Sequence, residues 1–62
     1  MNVLEVAIKN LAAKKEQLEQ HVSGGGATDF ESYSALVGEI KGLKYAINEL
    51  KDTNDKLKDD DE

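Results

Sequence analysis

The chain has 62 residues, with 13 acidic against 8 basic side chains, a net charge of −5, no cysteine and one histidine. A domain this small buries only roughly 60% of its unfolded surface, and without cysteines neither disulfides nor thiolate zinc sites can compensate. Association with other chains is therefore the expected source of further stability.

The same numbers exclude several classes of function. Every basic residue is a lysine, so the guanidinium fork that reads guanine is absent. The acidic balance opposes the cation clusters that neutralise nucleic-acid phosphates. Apolar runs are only a few residues long, too short for a membrane span, and the N-terminus lacks the layout of a signal peptide. The expectation is no nucleic acid, no membrane and no small-molecule partner, in a cytosolic or virion-associated protein. Few aromatics among abundant Ala, Leu, Glu and Lys is the composition of coiled helical structures.

The spacing predicts a first helix over 2–22. Met1, Ile8, Lys15 and Val22 stand at a positions of a heptad, and Leu4, Leu11 and Leu18 at d. Asn2 is placed to cap it, and Glu5 with Lys9 forms a favourable i,i+4 pair. Lys15 breaks the apolar seam, its stem able to lie along the seam with its head in water.

Residues 23–28, including Gly24, Gly25 and Gly26, form a flexible break, since consecutive glycines do not continue a helix cheaply and readily take the left-handed position after one. No strand precedes them and no Lys-Ser/Thr pair follows, so they do not read as a phosphate loop. His21, in the last turn before the break, suits the negative end of the helix dipole.

A second helix is expected over 29–58, opened by Thr28-Asp29-Phe30-Glu31 as a capping box. Tyr33, Ile40, Ile47 and Asn54 take its a positions, and Leu36, Leu43, Leu50 and Leu57 its d positions. Residues 59–62 read as a disordered acidic tail, the wrong charge for a helix C-terminus and without the glycine of a calcium loop.

The two seams match as an antiparallel pair. Leu18 with Tyr33, Lys15 with Leu36, Leu11 with Ile40, Ile8 with Leu43, Leu4 with Ile47 and Met1 with Leu50 share one register centred on the glycines. The expected fold is all-α, an antiparallel αα-hairpin of coiled-coil type with a longer second helix, completed by oligomerisation or docking. A swapped pair, with the glycines straightened, obeys the same pairing.

Two features point outward in that arrangement. Asn54 and Leu57 extend about two turns, roughly 12 Å, beyond the end of the first helix. Ala35, Gly38, Gly42 and Tyr45 recur at 3–4 spacing away from the seam, where two mid-helix glycines cost stability unless another backbone comes close. These six residues are the candidate interface. One His, no Cys and evenly scattered carboxylates supply no nucleophile–base pair, no metal site and no cofactor site, so no enzymatic activity is expected.

The run Asp29-Phe30, Tyr33, Leu36, Gly38, Ile40, Gly42-Leu43, Ala46, Leu50 resembles a pattern in small helical-hairpin proteins of tailed bacteriophages, often encoded near head, portal and tail genes. The resemblance covers about half of the chain. It implies a phage origin, a place in the virion or host cytoplasm, and Gly38 and Gly42 as helix-packing positions. The expected function is then a non-enzymatic interaction protein, its partners itself or a larger assembly such as a phage head or portal component. The alternative is a small acidic regulator of a host or viral enzyme, for which the net charge is suited.

Overall fold

The structure is a computed structural model that describes residues 2–60, with the backbone alone for 59 and 60. Helix α1 spans Val3–Ser23 and helix α2 spans Phe30–Asp60. They pack against each other as an antiparallel hairpin, with no strand among the described residues. The molecule is a rod of 50 × 17 × 12 Å, as long as its 31-residue helix requires at 1.5 Å per residue.

Local chemistry fixes the helix ends. The Asn2 side chain accepts a hydrogen bond of 2.8 Å from the Glu5 amide, satisfying one of the donors left free at the start of α1. At its other end Gly25 adopts φ +84°, a left-handed conformation that disfavours a Cβ. The Gly26 amide then donates to His21 O at 2.8 Å and the Gly25 amide to Val22 O at 3.2 Å, the paired bonds of a Schellman cap. The His21 ring lies directly over Gly26. For α2 the cap is Asp29, whose carboxylate accepts from the Ser32 amide at 2.7 Å. It falls one residue later than the expected Thr28–Glu31 box. Asp29 can cap because its Oδ1 reaches the third amide of the helix, which begins at Phe30.

The helix α2 runs through Asp60, two residues into the stretch expected to be disordered. Residues 61 and 62 of that stretch, and Met1 with its expected pairing, lie outside the described residues.

The register differs from the expected one by a heptad. Asn2 Nδ2 donates to Asn54 Oδ1 at 2.8 Å, which sets the start of α1 beside Asn54. Counting back at equal rise, Leu4 comes level with Asn54, Ile8 with Leu50, Leu11 with Ile47, Lys15 with Leu43, Leu18 with Ile40 and Val22 with Leu36. All twelve positions are buried or half-buried. Tyr33, expected opposite Leu18, is instead 49% exposed, because the first turn of α2 projects past the end of α1. A seam repeating every seven residues matches nearly as well after a seven-residue slide, so the apolar pattern does not select the register. The polar residues do: the amide pair satisfies Asn54, whose burial without a partner would cost about 1–3 kcal/mol.

Among the described residues only Ile47 and Asn54 are buried, each 6% exposed. The remaining seam residues from Leu4 to Leu50, Tyr33 excepted, are half-covered, as two helices alone must leave them.

Candidate interaction surfaces

The six candidate residues separate into three groups. Gly38 and Gly42 are exposed, and a Cβ at either would meet nothing within 4 Å. Ala35 is exposed and Tyr45 is 77% exposed. Among the described residues none covers Gly38 or Gly42. Tyr45 borders a shallow, open depression of about 280 Å³ lined also by Lys41, Lys44 and Asn48. All four residues belong to α2, so no second element closes the depression over a ligand.

Asn54 requires a correction. It does not overhang the hairpin but is sealed inside it by Asn2. The geometry also orients both amides: Asn2 Oδ1 is committed to the Glu5 amide, so its NH2 group must face Asn54, which answers with its oxygen. Leu57, the third group, stays 51% exposed, near the level where α1 begins.

Among the described residues two ion pairs border the seam. Lys15, the lysine within it, reaches Glu19 at 3.3 Å, so its charge is met on its own helix. Glu5 pairs not with Lys9 but across the hairpin with Lys58, at 3.7 Å. Both pairs are partly exposed, and such contacts contribute about 0–1 kcal/mol; their value lies in showing which sides of the helices adjoin. The Ser32 backbone amide, joined by its hydroxyl, holds the Asp29 carboxyl below its ordinary value.

Sequence patterning does not flag Phe30 and Val3 as surface features, yet they are 80% and 82% exposed. Phe30 opens the turn of α2 that projects past α1, and Val3 lies at the opposite end of the rod. Among the described residues no group of three or more His, Asp or Glu side chains could hold a metal ion, and no helix is long and apolar enough to cross a membrane. Comparison with protein-family models, with curated proteins and with solved structures gives no match.

Proposed function

We propose that this chain is a non-enzymatic helical interaction module that associates with itself or docks on a larger protein assembly. The observation that carries this reading is the thinness of the core: among the described residues, Ile47 is the one apolar side chain taken fully out of water. A folded monomer of 6.8 kDa typically exposes about 4,000 Å², whereas this rod exposes 4759 Å². Half-covered leucines, isoleucines and valines on both helices gain most from a further layer, at about 25 cal/mol per Å² of apolar surface removed from water. The resemblance of α2 to phage hairpin proteins supports a setting in the virion or the host cytoplasm, with a head or portal component as the larger assembly.

The test is solution mass by light scattering over a concentration series, with circular dichroism on the same samples. A helical multimer supports self-association, and a poorly helical monomer supports docking on another protein. A monomer that is fully helical and melts cooperatively at one midpoint across all concentrations contradicts the module, because such a chain needs no partner.

A further inference from the structure

The geometry points to a second copy of this chain as the partner and to one side of the hairpin as the contact, giving a four-helix bundle. This deepens the interaction-module reading and rests on it.

The two sides of the seam are chemically unlike. In an antiparallel pair the a and e positions of both helices share one side, and the d and g positions share the other. The Glu5–Lys58 ion pair joins two e positions and marks the first side. In the offset of that pair, the side also brings Glu19 on α1 level with Lys44 on α2, and carries Lys51 level with Ala12, so opposite charges meet across it. Both buried residues, Ile47 and Asn54, are a positions belonging to it.

Every leucine of the chain is a d position and leans to the other side. None of them is buried, and Leu57 is half exposed. Their neighbours at g and c include Val3, Ala7, Ala35, Gly42 and Ala46, small enough for another helix to approach closely there, with Asn10, Gln17, His21 and Thr53 as uncharged polar positions between them. Through residue 58 the charges among the g and c positions are Lys14, Lys56, Glu39 and Glu49, two of each sign. The face is thus apolar along its leucines, less charged than the opposite side, and balanced in sign.

Two quantities favour a second copy as the occupant. One broad side of the rod, bounded by 50 by 17 Å, is of the same order as the roughly 800 Å² that each partner gives a standard stable interface. The charge sorting matters as well. A chain of net charge −5 repels its own copies in general, but here the contact excludes most of that charge. Of the original stripe, Ala35 and Gly42 sit at c, on the edge of the leucine side, whereas Gly38 and Tyr45 sit at f, directly away from the seam.

Matched charge variants test this surface. Ala35→Glu with Gly42→Glu puts two carboxylates on the leucine side, and Gly38→Glu with Tyr45→Glu puts two on the outer face. The two double variants carry the same added charge, and all four positions are exposed, so the hairpin itself tolerates either; circular dichroism checks that it does. Sedimentation of the wild-type chain should give twice 6.8 kDa. The first variant should weaken association by about tenfold or more, the cost of unpaired carboxylates at an apolar contact, and the second should leave it near wild type. A dimer broken by the outer-face variant alone, or by neither, overturns the leucine side while leaving the module standing. A wild-type chain that is monomeric throughout overturns the second copy, and the concentration series described above then decides the module separately.

Discussion

The two ends of the hairpin are closed by different means. At the loop end, neighbours in sequence do the work: Gly25 turns left-handed, Gly26 returns an amide to His21, and Asp29 caps α2 through Ser32. At the open end the closure is a single amide pair between residues 52 apart in sequence, with the Glu5–Lys58 contact beside it. The loop end determines that the chain turns back; the open end determines where the two helices stop sliding. Local caps cannot set that register, because a seven-residue slide changes no cap and little of the apolar pairing.

Breaking the open end should have the larger effect. Asn54→Ala removes a buried hydrogen bond and leaves a space beneath Asn2, and we expect a loss of about 1–3 kcal/mol in denaturant unfolding. Asn54→Leu should instead keep or raise stability while broadening the amide NMR spectrum, since an apolar residue there no longer distinguishes one register from the next. If Asn54→Leu keeps one sharp set of resonances, the amide pair does not select the register.

Breaking the loop end costs somewhat less. Gly25→Ala forces a Cβ into the left-handed region and should lower stability by about 1–2 kcal/mol. Gly38→Ala provides a contrast of opposite sign: with nothing within 4 Å, it should raise stability by about 0.5–1 kcal/mol. Equal effects of these two substitutions on the melting midpoint would mean that Gly25 is not held in its left-handed turn.

The smallest effect is the pH dependence of the Asp29 cap. Its carboxyl is held below the ordinary 3.8, so the folded chain binds that proton less readily than the unfolded one. The cap's contribution is then complete above 3.8 and lost as pH falls through the lowered value. Asp29→Asn keeps an acceptor without the titration. Melting midpoints of the two proteins should run parallel above about pH 5 and converge in acid; parallel curves throughout would remove the charge from the cap.

Much of this architecture is legible in the residues. The heptads announce two helices and the glycines a turn, and the described boundaries fall within two residues of those read from the sequence. The register was less legible, because periodic apolar residues match equally after one period and the deciding contact joins a helix cap to a residue near the far end of the chain. Asn54 illustrates the difficulty: a polar a position looks outward-bound until Asn2, already engaged as a cap, is seen to have a free NH2 group. The surface was legible only in part. The heptad of α2 puts Gly42 at c and Gly38 at f, but only the antiparallel pairing, with Glu5 beside Lys58, brings the leucines of both helices to the side that Gly42 borders.

The Asn2–Asn54 pair is what selects one register from its neighbours a heptad away, so the most direct measurement is a methyl NOE spectrum of the intact chain. The register set by Asn2 and Asn54 brings Leu11 level with Ile47 and Leu18 level with Ile40. A one-heptad slide separates these pairs by about 10 Å and puts Leu11 against Ile40 instead. Cross-peaks from Leu11 to Ile47 would establish the register and the role of the amide pair in setting it, and cross-peaks from Leu11 to Ile40 in their place would contradict both.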